Sequence, residues 1–437
     1  MSSPTCLPAS SAHRVEASSM TTARSRLSST IDLLRWPARR YGRVIRRPGA
    51  VAFFTTAAVA RLGVAMTGLG LLFSVQDAAG SFAVAGAATG AFALAEAVAG
   101  PQVARLIDRW GQTRVVPIVV IVHVIALVTA IATVGRAPFA LVVAVLIVAG
   151  AAIPQPGALS AARWTALIPE PTPLRVAFSL EATINDVVFL TGPVLVTLLS
   201  TLIAPWLGSV AAATLLAVGC GMLALQRRTA PPRVRSDRTA LRESQGSLRS
   251  PAFFAVLGVN LGLGCFFGSV GLLVTAATTA QGLEPLTGLI LSLSSAASIV
   301  AGLIYGSLRS APRPQLVQLI ATAMVTVAVV VAVWSPTVIG LAVMQFIGGC
   351  AIAPLLASSS QITQATVAAS ARTQGFTWIN SASAAGIAAG AALIGGAIEV
   401  EGIRSAAILL AILTLAALAS ASYAARPSRT RAPTEHR

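Results

Sequence analysis

Residues 227–251 read RRTAPPRVRSDRTALRESQGSLRSP, seven arginines and three prolines set into a chain that is otherwise overwhelmingly apolar. On either side the sequence falls into apolar stretches of about 18 to 26 residues, the length that crosses a bilayer core of roughly 30 Å at 1.5 Å per residue. Six precede the break, near 50–76, 80–104, 115–134, 138–160, 177–203 and 206–226. Six follow it, near 252–279, 284–308, 315–334, 337–362, 374–398 and 402–425. Only helices or closed barrels satisfy the backbone in lipid, and continuous apolar runs without period-2 alternation select helices. The reading is an all-α polytopic membrane protein of twelve spans, numbered 1 to 12 in chain order. Two six-helix halves, 49–226 and 252–425, are joined by a charged linker at 227–251.

Composition agrees. Hydrophobic residues make up 55% of the 437 and charged residues 10%, too little polar surface for a water-soluble protein of this size. All 31 basic residues are arginines, and they occupy alternate connections: with the N-terminus inside, only Arg136 and Arg404 fall outside and Arg61 lies within a span. That is the positive-inside pattern, and it predicts a plasma-membrane protein with both termini cytoplasmic. The net charge of +17 therefore reflects topology and anionic-lipid contact, and no nucleic-acid partner is expected. Residues 1–48 and 426–437 are expected to be cytoplasmic tails, the first a mostly disordered basic segment, since Pro37 and Gly42 oppose one long helix. No apolar run precedes residue 49, so no cleavable signal peptide is expected. Four scattered cysteines and three histidines have no metal-ligand spacing, and neither a metal nor a cofactor is expected. Trp164, Trp206 and Trp334 fall at predicted helix ends, as an aromatic belt would place them.

The second half echoes the first. Val98-Ala99-Gly100 corresponds to Val300-Ala301-Gly302, Gly150-Ala151-Ala152-Ile153 to Gly349-Cys350-Ala351-Ile352, and Phe178, Gly192 and Leu195 to Phe376, Gly390 and Leu393. The ordered, near-constant offset predicts two halves related by a pseudo-two-fold axis along the membrane normal, a transporter architecture.

Between spans 2 and 3 the chain reads GPQVARLIDRWGQTRVV (100–116). Leu106, Asp108, Arg109 and Gly111 make this resemble the signature loop of the major facilitator superfamily, G-x-L-a-D-R-x-G-r-k. Ala104 stands where that motif has its first glycine, Gln112 and Thr113 replace its basic pair, and Arg114 is one place further on. The resemblance covers 50–425 and is closest to the actinobacterial-type branch. It implies a conformational gate formed by Asp108, Arg109, Gly111 and Arg114: a glycine frees the turn, and a carboxylate beside arginines can pair with charges or helix ends of the other half. RVAFSLEATINDVVFLTGP (175–193) resembles the fifth-span pattern associated with antiporters, matched at Gly192 and Pro193 without the glycines that follow. Proton-coupled drug exporters carry an arginine in span 4 four residues before a glycine; here that place, before Gly150, is Leu146.

A charge inside the bilayer costs a few kcal/mol on insertion scales and is a functional candidate until it is paired. Counted from the predicted span ends, Arg61, Glu96, His123 and Asp186 lie about 12–16 Å deep, all in the first half, with Glu181 shallower. Two readings of Arg61 stand side by side: a structural ion pair with Asp186 or Glu96, or a partner that tunes Asp186, or second Glu96, as carrier of a coupling proton. His123 reads as a packed neutral histidine. By resemblance, spans 1, 4, 7 and 10 line a central cavity flanked by 2, 5, 8 and 11. Asn185, Asn260, Gln345 and Asn380 are then candidate substrate contacts, each with an interhelical hydrogen bond as its alternative. The function expected is secondary active transport by alternating access: proton-coupled export of a small, largely apolar molecule by a monomer. An uptake carrier or facilitator is the alternative, and a membrane-embedded receptor or enzyme is the reading from another class; neither an enzymatic motif nor GxxxxGK[ST] occurs.

Overall fold

The computed structural model describes residues 40–80, 82–232, 243, 245–283, 286–308 and 312–425. Most of the predicted tails, 1–39 and 426–437, and the linker core at 233–242 lie outside the described residues. Among the described residues twelve helices are long and apolar enough to cross a membrane. They are spans 1 (Ala50–Ala79), 2 (Val84–Trp110), 3 (Gln112–Thr133), 4 (Phe139–Leu167), 5 (Pro171–Leu202), 6 (Leu207–Leu225), 7 (Pro251–Ala280), 8 (Thr287–Ser307), 9 (Pro314–Trp334), 10 (Val338–Thr366), 11 (Ala369–Glu401) and 12 (Ile403–Ala425). The chain is a multi-pass membrane protein whose spans 1–6 and 7–12 form two pseudo-symmetric halves. Below, the linker face is the side reached by the start of span 1, the connection between spans 6 and 7 and the end of span 12.

Apolar side chains gather in two main cores, one centred on Phe53, Leu127, Leu146 and Leu216 of the first half and continued across the junction to Phe376 and Ile379, the other on Phe266, Leu273, Leu341 and Leu410 of the second half. Backbones approach closely where side chains are smallest. A Cβ on Gly63 of span 1 would sit 2.5 Å from the Ala212 carbonyl of span 6, and one on Gly264 of span 7 would sit 2.1 Å from the Ser383 carbonyl of span 11. Lipid offers no hydrophobic drive between helices, so such tight small-residue seams carry the packing.

The repeat read from the sequence reappears in space. Gly192 of span 5 lies against Ala65 of span 1, and its counterpart Gly390 of span 11 lies against Cys265 of span 7. Phe178 and Phe376, also counterparts, meet edge to face with ring centroids 6.0 Å apart. Two equivalent residues that touch must sit beside the axis relating them.

The helix ends that differ most from the sequence reading are at the linker face. Span 2 runs to Trp110 instead of 104, span 4 to Leu167 instead of 160, and span 5 begins at Pro171 instead of 177. Hydropathy marks where lipid ends, whereas a helix continues until its backbone bonds fail, and Pro171 at the first helical position suits a helix start. Asp108 and Arg109 consequently sit in the last turn of span 2 rather than in a loop; the connection to span 3 is Gly111 alone, at φ 91°.

Span 4 is interrupted in its middle. Its helix stops at Ala151 and resumes at Pro156, leaving Ala152–Gln155 non-helical around Pro154. Irregular backbone at membrane depth is tolerated where it is buried in protein or lines a cavity. Residues 40–45, expected to be disordered, form a short helix despite Gly42, because Val44 is buried in the first half's core.

Candidate functional site

The two halves meet at the linker face on both sides of the Phe178–Phe376 contact. On one side the Asp108 carboxylate caps span 11: Oδ1 accepts from Thr373 N at 3.2 Å and Oδ2 from Gln374 N at 2.9 Å. A carboxylate is the favoured group there, because the first N–H groups of a helix lack internal partners and carry the positive end of its dipole. On the other side Arg175, at the start of span 5, donates from Nη2 to the Leu308 carbonyl at 2.6 Å, at the end of span 8, and its guanidinium lies 5.6 Å from the Tyr305 ring centroid. The polarity is reversed to match: acid on a helix N-terminus, base on a helix C-terminus. Arg175 escaped notice in the sequence because it lies where the span was not expected to have begun.

Arg109 and Arg114 are exposed at the same face. A cavity of about 500 Å³ opens there beside Asp108, lined by Gln112, Thr165, Pro231 and Arg372 among others. Gln112, which departs from the family motif, has a reason of its own. Arg163 is fully buried and donates from Nε to Gln112 Oε1 at 2.7 Å, from Nη2 to the Leu223 carbonyl at 2.8 Å, and from Nη1 to Gln226 O and Thr229 Oγ1. A basic residue at 112 would put two cations in contact with no carboxylate between them.

At mid-membrane two further carboxylates face the second half. Asp186 Oδ2 accepts from Ser298 Oγ at 2.5 Å, joining spans 5 and 8. Glu96 Oε1 accepts from Gln155 Nε2 at 2.7 Å, and Gln155 Oε1 lies 3.5 Å from Asn380 Nδ2, joining spans 2, 4 and 11. Gln155 stands in the break of span 4. Pro154 and Pro156 inside an apolar run were the signal for it, and sequence reasoning missed it. Asn380 is exposed and Asn185 half-buried.

Arg61 pairs with neither Asp186 nor Glu96. Its Nη2 donates to Glu181 Oε2, and Glu181 Oε1 also accepts from Ser160 Oγ at 2.5 Å and Trp164 Nε1 at 2.6 Å. The cause is the early start of span 5. Glu181 lies ten residues beyond Pro171 and Arg61 eleven beyond Ala50, so the two are level, whereas Asp186 is five residues, roughly 7.5 Å, further along. Trp164 is buried by this contact instead of lying in an aromatic belt, while Trp206 and Trp334 are exposed.

Other candidates are structural in their surroundings. Asn260 donates to Val256 O at 2.8 Å and Ser359 Oγ at 3.1 Å, and Gln318 joins the same serine at 2.9 Å, all inside the second half. Gln345 is buried. His123 is fully buried beside Phe92, with Nδ1 2.8 Å from the Ala149 carbonyl. A carbonyl only accepts, so the hydrogen is on Nδ1. Gly192 serves the span 1 contact, and Pro193 lies within the span 5 helix. Among the described residues no cluster of three or more His, Cys, Asp or Glu side chains is arranged to hold a metal.

A twelve-span bundle of two pseudo-symmetric halves, with charged residues of one half seated on helix ends of the other, defines a membrane carrier. Residues 53–317, more than half of the chain, match the family model of the Major Facilitator Superfamily, and the chain belongs to that family. Its fold matches solved structures at low identity. A bacterial homologue of the iron transporter ferroportin in an outward-facing state has TM-score 0.71 and 14% identity, covering 86% of this chain and 99% of that one. The human organic anion transporter MFSD10 has TM-score 0.65 and 15% identity, covering 85% and 98%. The E. coli fucose:proton symporter has TM-score 0.64 and 14% identity, covering 86% and 99%. No curated protein matches the sequence.

Proposed function

We propose that the protein is a secondary active transporter that exports a small, largely apolar molecule in exchange for protons, working as a monomer by alternating access. The linker face is cytoplasmic in this reading. Exposed arginines at 43, 46, 47, 105, 109, 114, 227, 228, 249 and 313 lie on that side, against Arg136 and Arg404 on the other, which supports the assignment. The conformation is the one closed to the cytoplasm: Asp108, Arg175 and the Phe178–Phe376 contact bind the halves together there.

The observation that carries the coupling is the bond from Ser298 to Asp186. A carboxylate that holds the other half by a charge-assisted hydrogen bond holds it more weakly once a proton neutralises it. Asp186 is the proposed proton carrier and Glu96, tied to Asn380 through Gln155, the second. Protonation from the outside would loosen both ties and let the halves rock; release to the cytoplasm would restore them. Spans 7–10 contain no charged residue, and the polar groups beside the path are the neutral Asn185, Gln155 and Asn380, which favours an uncharged substrate with a few hydrogen-bonding atoms.

The test is flux in inverted vesicles under an imposed pH gradient, screened across a compound panel. Asp186→Asn abolishes accumulation driven by the gradient and leaves exchange measurable. Accumulation with the wild-type pH dependence in that variant would place the proton carrier elsewhere.

A further inference from the structure

The segment ahead of span 1 is bonded to the half it does not belong to. Residues 40–45 form its helix, and the chain turns into span 1 through Gly49, at φ 82°. Its root is in the first half, where Val44 is buried in the core and Arg47 Nη2 lies 3.8 Å from Glu170 Oε2. Its free end crosses to span 8. The Tyr41 hydroxyl donates to the Leu303 carbonyl at 2.9 Å and lies 3.3 Å from that of Gly302, and Arg40 Nη1 donates to the Leu308 carbonyl at 2.5 Å.

This docking surface is built for the tyrosine. A Cβ on Gly306 would stand 2.1 Å from the Tyr41 hydroxyl, so only glycine leaves room for it. Burial pushes the hydroxyl up to about 12, opposed in part by Arg175, so it remains a donor at any physiological pH. The carbonyls it meets are at the negative end of span 8, where a cation such as Arg40 is also favoured. Leu308 O receives Arg175 as well, so the segment and span 5 grip one helix end together.

We propose that residues 40–47 are a strap that holds the linker face shut: an arm of the first half, docked on the end of span 8, which lets go before that face opens. The strap acts on the span 5 and 8 side of the axis, opposite the Asp108 latch, so closure is held on both sides. It rests on the alternating-access reading above and sets the balance between the two states without touching the transport path.

The experiment uses the purified full-length protein without its four native cysteines, carrying Thr377→Cys as reporter. Thr377 is buried on the far side of the axis, and a Cβ on Gly100 of span 2 would lie 3.4 Å from its methyl group. A maleimide therefore reports opening of the linker face at a distance from the strap. Tyr41→Phe keeps the ring and removes the donor, and it raises the labelling rate about fivefold, the effect of one ordinary hydrogen bond on a two-state balance. Adding Arg40→Ala raises it further, while Arg43→Ala, exposed on the same helix, leaves it unchanged. Wild-type rates in both Tyr41 variants, alongside a raised rate in Asp108→Asn, overturn the strap alone. A rate that moves in none of them, Asp108→Asn included, overturns alternating access at this face and the strap with it.

Discussion

Replacing Asp108 by Asn removes one charge and one acceptor from the contact between span 2 and span 11. The carboxylate offers each oxygen to a separate backbone N–H, of Thr373 and Gln374. Asparagine keeps one carbonyl oxygen and turns an NH2 toward the other N–H, which cannot accept it. Hydrogen bonds to a charged group contribute about 1.5–3 kcal/mol, a neutral one about 1, and an acid at a helix N-terminus a further 0.3–1. The half-buried setting beside an open cavity reduces the difference, and a net loss of about 2 kcal/mol follows. That multiplies the ratio of open to closed linker face by about 30.

Because the substitution removes no apolar side chain and changes little volume, thermal unfolding in detergent shifts by only about 2 °C. The assay is the maleimide labelling rate of Thr377→Cys, which follows the open population while that population is small. A rise of about 30-fold with impaired net transport is expected, and Asp108→Glu falls between. Wild-type labelling and full transport by a well-expressed Asp108→Asn protein would refute the assignment of this residue as a latch.

Glu181→Gln leaves Arg61 buried without its counter-charge and destabilises the first half by about 3–5 kcal/mol, whereas Arg61→Met combined with Glu181→Met recovers most of the melting temperature. Loss of transport in a double variant of normal stability would show that the pair has a functional role. A single cysteine at Ala240, in the linker, is labelled in intact cells only after the membrane is made permeable; labelling from outside would reverse the orientation.

The number of spans and their arrangement in two halves were legible because each span is a length of apolar sequence set against a fixed bilayer thickness. The carboxylates were legible because a charge in lipid is conspicuous whatever it does. Their partners were not. Glu181 was placed shallower than Arg61 because depth was counted from the predicted start at 177, and six further helical residues at 171–176 carry it some 9 Å further in. Arg175 went unnoticed for the same reason. The acceptors of Arg163, Arg175 and Tyr41 include backbone carbonyls, which every residue has, so no side-chain pattern marks them. Gln155 was the exception, since two prolines inside an apolar span do announce irregular backbone.

The buried and interfacial charges divide by where their partners lie. Glu181 is satisfied entirely within the first half, and Arg163 within it and at Thr229, where the linker begins, so a rigid rocking of one half against the other leaves their surroundings unchanged. Asp108, Arg175, Asp186 and, through Gln155, Glu96 are bonded to the second half, which answers with backbone groups, a hydroxyl and an amide. Their environment must change when the halves part. In the proposed cycle the titrating groups therefore belong to the first half, and the second supplies neutral partners. Ser298→Ala separates the two roles: it removes the hold on Asp186 and keeps the titratable group. The variant is expected to retain a pH-dependent flux but to accumulate less at a given gradient, because the halves part more readily without protonation. Asp186→Asn loses the pH dependence itself. If Ser298→Ala behaves like Asp186→Asn, the hydroxyl takes part in carrying the proton. If it behaves like wild type in both readouts, the bond between the halves at mid-membrane does not govern coupling.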